Sequence, residues 1–251
     1  MSEYYNPKRI ASWNYGGINW KLSRSKIDLY SSCPRCFYLD NKLGLKRVPG
    51  FPFSINSAVD HLLKQEFDGY RAKGEQHPLQ KEYGIDARPM SHVELDEWRR
   101  NFGGIRYFHE PTELMVTGAI DDLWINGDGE YIVVDYKATA KDEAVKELDK
   151  EWQDGYKRQM EVYQWLLRQN GLPVSDIGYF VYCTGKMDRE AFDGRIDFDV
   201  NLIEHKGNDE WVEKILFEIK ECLESPEIPE SSKECDWCAY ARARGELEEE
   251  L

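Results

Sequence analysis

Residues 131–137, which read YIVVDYK, decide the fold that this sequence predicts. The first four are mostly apolar and β-branched, a composition that favours a buried β-strand. Asp135 and Lys137 close the strand, two positions apart. Because side chains alternate across a strand, these two point to one face and Tyr136 points to the other. A buried strand that ends in a carboxylate and an amine is therefore the centre of the predicted fold.

The preceding segment, 118-GAIDDLWINGDG, predicts a second strand that pairs with the first. It contains 126-NGDG, a sequence typical of tight hairpin turns. Folding the segment back against the strand places Asp121 near Asp135. We therefore expect the two carboxylates to meet at the same end of the sheet.

Asp121, Asp135 and Lys137 together suit metal-dependent phosphodiester hydrolysis. Carboxylates are good ligands for Mg²⁺ and Mn²⁺, which complete their coordination with water and substrate phosphate. The ion would polarise the phosphoryl oxygen and activate a water, while Lys137 would orient that water or stabilise the transition state. The Tyr136 carbonyl is a candidate for a further metal ligand. An Asp-x-Lys triplet is common at strand ends, so it predicts catalysis only in a wider context.

Five stretches supply that context, because in this order they resemble the RecB-type nucleases of the PD-(D/E)XK superfamily. They are 23-SRSKIDLYSSCPRCFYLDNKLG, 58-AVDHLLK, 118-GAID, 133-VVDYKAT and 159-QMEVY. That group also contains the iron-sulfur exonucleases of CRISPR adaptation. The resemblance implies an α/β (α+β) fold with a restriction-endonuclease-like core, in which helices flank a mixed central β-sheet. It also implies a deoxyribonuclease.

The resemblance further assigns roles to single residues. His61 matches the helix histidine that the family contributes to the metal, and Asp121 matches its first catalytic carboxylate. Gln159 and Tyr163 match the family's helix motif, which implies that they face the cleft and support DNA or Lys137. Their i and i+4 spacing agrees, because it puts both on one helix face. The apolar periodicity around His61 is equally typical of a surface residue beside a packed stripe.

Two C-x-x-C pairs offer four thiolates for one metal centre, formed by Cys33, Cys36, Cys235 and Cys238. The other two cysteines, Cys183 and Cys222, lie in apolar segments and are expected in the core. The resemblance implies a [4Fe-4S] cluster that joins the N- and C-terminal ends of the nuclease. The family usually distributes its cysteines one plus three, whereas this chain has two plus two. Zn²⁺ therefore remains an alternative, followed by disulfides.

Length and composition favour one nuclease domain over residues 22–245. We expect an extended arm at 1–21 and a frayed acidic tail at 246–251. No apolar stretch is long enough to span a bilayer, so no membrane partner is expected. The lack of such a stretch and the paired C-x-x-C motifs, which suit a reducing compartment, together predict a cytoplasmic protein.

The net charge is the main argument against a DNA-binding protein. The chain has 33 basic and 47 acidic residues, a formal net charge of −14, whereas proteins that bind phosphates are usually basic. We therefore expect weak, salt-sensitive binding to single-stranded or frayed DNA, delivered by a helicase or by a CRISPR or recombination protein. The alternative is a non-catalytic nucleic-acid-binding or assembly module with the same fold.

Overall fold

The computed structural model of this protein describes residues 4–5, 7–50 and 54–250. Its contacts divide the chain into two compact units. Unit 1 comprises Met1–Phe51, Phe108–Thr117 and Glu210–Leu251. Unit 2 comprises Pro52–Tyr107 and Gly118–Asp209. The predicted division into 1–21, 22–245 and 246–251 does not coincide with these units and stays a prediction.

The helices and strands follow one another along the whole described chain. The helices are α1 (Pro7–Trp13), α2 (Arg24–Ser32), α3 (Pro34–Asn41), α4 (Ser54–Lys73), α5 (Pro78–Glu82), α6 (Leu95–Trp98), α7 (Asp154–Gln169), α8 (Glu210–Glu224) and α9 (Asp236–Glu250). The strands are β1 (Leu22–Ser23), β2 (Ala87–Pro89), β3 (Ile105–His109), β4 (Leu114–Gly118), β5 (Asp122–Asn126), β6 (Tyr131–Ala140), β7 (Ile177–Gly185) and β8 (Phe198–Lys206). Single 3₁₀ turns lie at Glu110–Thr112 and Glu151–Gln153.

The central sheet of unit 2 has the strand order β2-β5-β6-β7-β8. β6 and β7 are parallel, and the other neighbouring strands are antiparallel. The register places Val134 of β6 opposite Asp122 of β5 and Tyr179 of β7. The predicted mixed sheet flanked by helices is therefore confirmed, with β6 at its centre.

The predicted hairpin turn joins β5 to β6. The backbone N–H of Asn126 donates to the carbonyl of Glu130 at 3.1 Å, and the Asn126 side-chain oxygen accepts from the Glu130 N–H at 2.8 Å. Gly129 has a φ of +83°, a conformation that residues with a Cβ rarely adopt. This turn fixes the register of the two strands, and the register decides which residues reach the end of the sheet.

Two helices cover opposite faces of this sheet. On one face, Phe67 of α4 stacks on Tyr136 of β6, with ring centroids 5.8 Å apart. On the other, Gln159 of α7 contacts Asp135 of β6. Since residues 135 and 136 point to opposite faces, α4 and α7 enclose β6 between them. One apolar cluster of unit 2 lies on the α4 side and includes Trp124, Val134 and Val181. On the α7 side, Phe180 is also completely buried, with its ring 6.5 Å from that of Tyr156.

Unit 1 combines helices α1, α2, α3, α8 and α9 with a short parallel strand pair. β1 pairs with β4, so that Leu22 lies opposite Val116. Helices α2 and α3 pack against α8, and the Tyr38 hydroxyl donates to the Ser225 carbonyl at 3.0 Å. No helix in the described part of the chain is both long and apolar enough to cross a membrane.

The two ends of the chain differ from the sequence prediction. Helix α1 lies within the segment expected to be an extended arm. Residues 246–250, expected to fray, continue α9, which buries none of its described residues. Both segments lack the long apolar periodicity on which a helix prediction depends.

Candidate active site and four-cysteine centre

Asp135 and Lys137 form an ion pair in the middle of β6, on the face that α7 covers. The strand continues to Ala140 and does not close at Lys137 as the sequence predicted. The Asp135 side chain is completely buried, and that of Lys137 is 15% exposed. A buried carboxylate is unfavourable unless it is paired and hydrogen-bonded. Gln159 provides the hydrogen bond, because its Nε2 donates to Oδ1 of Asp135 at 2.7 Å. The pair is thus held by a strand and a helix together.

The Lys137 ammonium is also held by α7. Its Nζ donates to Oε1 of Gln159 at 3.4 Å and lies 4.5 Å from the centre of the Tyr156 ring. Gln159 in turn donates from Nε2 to the Tyr163 hydroxyl at 3.1 Å. Gln159 and Tyr163 therefore lie on one face of α7, as their spacing predicted, and Gln159 contacts the Asp135–Lys137 pair. Their roles in a reaction stay a prediction.

Gly118 explains how the Tyr163 ring reaches this position. A Cβ on Gly118 would lie 2.7 Å from Cε1 of Tyr163, closer than real Cβ contacts come. The glycine that opens 118-GAID is thus required for close approach of helix and strand.

Asp121 lies just before β5 and is fixed from two sides. Its Oδ2 accepts the backbone N–H of Tyr136 at 2.9 Å, which attaches it to β6 directly after Asp135. Its Oδ1 accepts from Nζ of Lys64 at 3.3 Å. The structure therefore brings Asp121 next to the Asp135–Lys137 pair, as the hairpin predicted.

Helix α4 contributes a second carboxylate at this point. Nζ of Lys64 lies 2.8 Å from Oδ1 of Asp60, so it bridges Asp60 and Asp121. Burial and repulsion from Asp121 raise the pKa of Asp60. Burial opposes the charge on Lys64, but the nearby Asp121 and Asp60 carboxylates outweigh it and raise its pKa. The sequence prediction did not include Asp60, although its i and i+4 spacing to Lys64 was visible.

His61 is exposed on α4. Among the described residues, only the four cysteines bring three or more metal-ligating side chains within 4.8 Å of one another. His61, Asp121 and Asp135 are thus not gathered to that spacing. The predicted metal set of these residues with the Tyr136 carbonyl stays a prediction.

Asp122, next to Asp121, belongs to a different network. It is completely buried and accepts hydrogen bonds from Arg71, from Nη2 of Arg99 at 2.7 Å and from the Tyr136 hydroxyl at 2.7 Å. Burial, with the adjacent Asp122 charge, raises the pKa of Tyr136 well above its usual value. Nε of Arg99 also donates to the Asp121 carbonyl at 3.0 Å. This network holds the start of β5 in place.

The four thiols of the two C-x-x-C pairs meet in unit 1. The Sγ of Cys36 lies 3.6 Å from that of Cys235 and 3.5 Å from that of Cys238, and the Sγ atoms of Cys33 and Cys238 are 3.8 Å apart. All four are free thiols, so the disulfide alternative is not what the structure contains. The N- and C-terminal regions of the chain are therefore joined at a cluster able to bind a metal.

The thiols of this cluster differ in how readily they ionise, because burial raises the pKa of Cys36 and of Cys238 whereas that of Cys33 is lowered. Burial opposes ionisation of Cys33, but hydrogen bonds from the backbone of Cys36 and Ser232 lower its pKa to about 6. Nη2 of Arg47 donates to the Cys235 sulfur at 3.3 Å. Thiolates are the form in which cysteine binds metals.

The model of the PD-(D/E)XK nuclease superfamily matches residues 54–243. The chain belongs to this superfamily. No curated protein matches the chain. The match covers the hairpin, α7 and the second C-x-x-C pair, whereas Cys33 and Cys36 precede it.

Membership of the PD-(D/E)XK superfamily indicates the chemistry of the hairpin end, the site where Asp121, Asp135 and Lys137 meet. Proteins of this superfamily are in general metal-dependent nucleases, and the donors present here suit that chemistry. Asp121 and Asp135 offer the hard oxygen ligands that Mg²⁺ and Mn²⁺ prefer, and the Asp121 side chain is 24% exposed. The residues of this site therefore fit a divalent ion.

Proposed function

We propose that the protein is a DNA nuclease that hydrolyses phosphodiester bonds with Mg²⁺ or Mn²⁺ and acts as an exonuclease. The main support is the hairpin end, where Asp121, Asp135 and Lys137 meet in a chain of a nuclease superfamily. We place the activity in DNA repair, recombination, or CRISPR- or phage-related processing, in line with the RecB-type motifs of the sequence.

The arrangement of these residues suggests a division of work. A bound divalent ion would neutralise the phosphate and make a coordinated water more acidic. Asp121 and Asp135 would hold the ion. Lys137, next to Asp135, is placed to orient the attacking water and to stabilise charge on the phosphate in the transition state. Gln159 holds Oδ1 of Asp135 and so limits how that carboxylate can rotate.

The net charge of −14 bears on the substrate. With few attractive long-range forces, the protein gains little from the phosphate backbone of isolated DNA. We therefore propose that it acts on single-stranded or frayed ends, which a helicase, recombination or CRISPR protein supplies.

Cleavage of end-labelled DNA with Mn²⁺ tests the activity. Single-stranded and duplex substrates are compared for the wild type, Asp135→Asn and Lys137→Gln. Asp128→Asn, in the exposed hairpin turn, is the matched control. The proposal expects activity in the wild type and control and its loss in both site variants. If the wild type binds DNA but cuts none of these substrates, the protein is a binding module instead. If all four cut equally, a contaminant is responsible.

A circular substrate separates exonuclease from endonuclease action. An exonuclease degrades linear single strands and leaves closed circles intact, because it needs an end. Cleavage of circles at the same rate as linear strands contradicts the exonuclease part of the proposal while keeping the nuclease.

We also infer that the four-cysteine centre holds one metal ion with four tetrahedral ligands, and that Zn²⁺ is the first candidate. Four ligands at the usual Zn–S distance of about 2.3 Å lie about 3.8 Å apart, and three of the Sγ–Sγ distances are 3.5, 3.6 and 3.8 Å. A [4Fe-4S] cluster places four irons and four sulfides between the thiolates and so needs wider spacing. The Sγ spacing therefore favours zinc over the cluster that the resemblance implies.

A further inference from the structure

An exposed tryptophan lies beside the Asp135–Lys137 pair and is connected to it by a second aromatic ring. Nζ of Lys137 lies 4.5 Å from the centre of the Tyr156 ring. The Tyr156 ring in turn meets the Trp152 ring edge to face, with the two centroids 5.8 Å apart. Trp152 is 56% exposed. A large, flat aromatic surface therefore faces solvent next to the ring that contacts Lys137.

A second lysine lies over this tryptophan. Nζ of Lys141 is 5.3 Å from the centre of the Trp152 ring, which is within the range of a cation–π contact. Lys141 directly follows β6, the strand that carries Lys137, and it is exposed. The rings of Tyr156 and Trp152 thus lie between two ammonium groups, all within unit 2.

The backbone that carries Trp152 is held by hydrogen bonds. Trp152 lies in the 3₁₀ turn Glu151–Gln153, which leads directly into α7. The backbone N–H of Lys150 donates to Oε1 of Gln153 at 2.9 Å, and the N–H of Gln153 donates to the Lys150 carbonyl at 2.8 Å. Gln153 is buried. A ring on such a turn is already positioned, which lowers the entropy cost of binding a ligand.

A strand of unpaired nucleotides has the chemistry that this surface fits. Its bases stack on aromatic side chains, and its phosphates pair with ammonium groups. In a duplex the bases are already stacked and paired, so they reach an aromatic ring only at the cost of unstacking.

The charge of the surrounding chain favours stacking as the main contact. The segment 142–151 contains five acidic residues and two lysines, and the net charge of the whole chain is −14. Such a chain attracts phosphates only weakly at long range. Base stacking does not depend on net charge, so an acidic protein can still gain affinity from it.

We propose that Trp152 stacks on an unpaired base of the DNA strand that enters the candidate active site, and that Lys141 pairs with a phosphate of the same strand. This contact selects single strands over duplex DNA. The inference rests on the proposed function, since it names residues that bind its substrate. Neither residue takes part in breaking the phosphodiester bond.

Binding of a fluorescent thymidine oligonucleotide to the full-length protein, measured by anisotropy without added divalent ions, tests the stacking. A strand of the same length with abasic sugars is the comparison. Trp152→Leu is compared with the wild type and with Trp13→Leu, the control, whose tryptophan is 52% exposed in unit 1. The wild type and control are expected to prefer the strand with bases. Trp152→Leu is expected to reduce that preference by about 5- to 150-fold, the contribution of one stacked base.

Trp152→Phe keeps a smaller aromatic face and is expected to retain part of the preference. It also repeats the test if circular dichroism shows that Trp152→Leu is unfolded. A preference for bases in a folded Trp152→Leu or Trp152→Phe that equals that of the wild type contradicts the stacking. Equal binding of both strands by the wild type, or binding of neither, contradicts it as well.

Lys141→Gln tests the phosphate contact. The logarithm of the binding constant is expected to depend less steeply on the logarithm of salt concentration, with a slope smaller by about 0.7 for a single strand. Lys146→Gln, also exposed in the segment after β6, is the control. A slope equal to that of the wild type means that Lys141 contacts no phosphate.

The outcomes separate this inference from the proposed function, because binding is measured without the ion that cleavage needs. If stacking fails and DNA is still cut with Mn²⁺, the nuclease proposal stands without this contact. If stacking is confirmed and no DNA is cut, Trp152 belongs to the surface of a single-strand-binding module.

Discussion

The side-chain nitrogen of Gln159 donates a 2.7 Å hydrogen bond to Oδ1 of Asp135, a carboxylate with no solvent exposure. The same amide presents its oxygen to Lys137 at 3.4 Å. One side chain of α7 thus contacts both members of the ion pair on β6. Because an amide has a donor at one end and an acceptor at the other, glutamine fits this position where glutamate does not.

Gln159→Ala should slow DNA hydrolysis by about 10- to 100-fold, because Asp135 and Lys137 lose the group that orients them. Gln159→Glu should be slower still, since it places a second carboxylate beside Asp135. Rates under single-turnover conditions with saturating Mn²⁺ measure the effect. Gln169→Ala, at the exposed end of the same helix, is the control. Equal rates for Gln159→Ala and the control would show that the Gln159 amide does not orient Asp135 and Lys137 for the reaction.

Lys137→Met should destabilise the metal-free protein as well as stop hydrolysis. The Lys137 ammonium neutralises a carboxylate that is completely buried. Removal of one partner of a buried pair costs about 3 kcal/mol of unfolding free energy. Urea unfolding in a chelator measures this loss.

Added Mn²⁺ should restore part of the stability of Lys137→Met, since the ion replaces the missing positive charge near Asp135. Lys146→Met, on the exposed segment after β6, should change stability little with or without the ion. A Lys137→Met protein as stable as the wild type in chelator would mean that Asp135 takes up a proton instead.

The sequence predicted the hairpin but not all that surrounds it. YIVVDYK and NGDG are local signals, so they specify β5, β6 and the meeting of Asp121 with Asp135. Helical spacing put Gln159 and Tyr163 on one face of their helix, and the resemblance, not the spacing, implied that this face meets the cleft. The exposure of His61 and the contact of Lys64 with Asp121 depend on how α4 is rotated about its axis, which tertiary packing sets. Likewise, the hydrogen bonds from Arg71 and Arg99 to the buried Asp122 join residues that are distant in sequence, so no local pattern predicts them.

Removal of the metal should destabilise unit 1, because the cysteines that hold it come from both ends of the chain. We expect one zinc per chain and no visible colour in protein purified without oxygen. Cys36→Ser should lose the metal and lower the melting temperature, since binding free energy adds to folding free energy. Elemental analysis and calorimetry measure both.

Cys222→Ser on α8 is the matched control for the metal centre, because it removes a thiol that is not part of the cluster. It should keep the zinc. A brown protein with four irons per chain would overturn the single-ion assignment and restore the cluster that the resemblance implies.

Alkaline pH should destabilise unit 2 through buried tyrosines. Burial, together with the charge of Glu204, raises the pKa of Tyr179 to about 12. The folded state therefore holds the phenolic proton more tightly than the unfolded state, whose pKa is about 10. The resulting stability is fully present below about pH 10 and is lost as the pH rises through about 12.

Tyr179→Phe removes this titration, so its unfolding free energy should fall less steeply with pH than that of the wild type. Tyr240→Phe, at a side chain that is 70% exposed, is the control and should follow the wild type. Urea unfolding at about pH 9 and about pH 11 compares the three proteins. Equal pH dependence of Tyr179→Phe and the wild type would mean that the Tyr179 hydroxyl ionises as easily in the folded chain as in the unfolded one. In that case the 3.3 Å contact between Tyr179 and Glu204 does not hold the proton in solution.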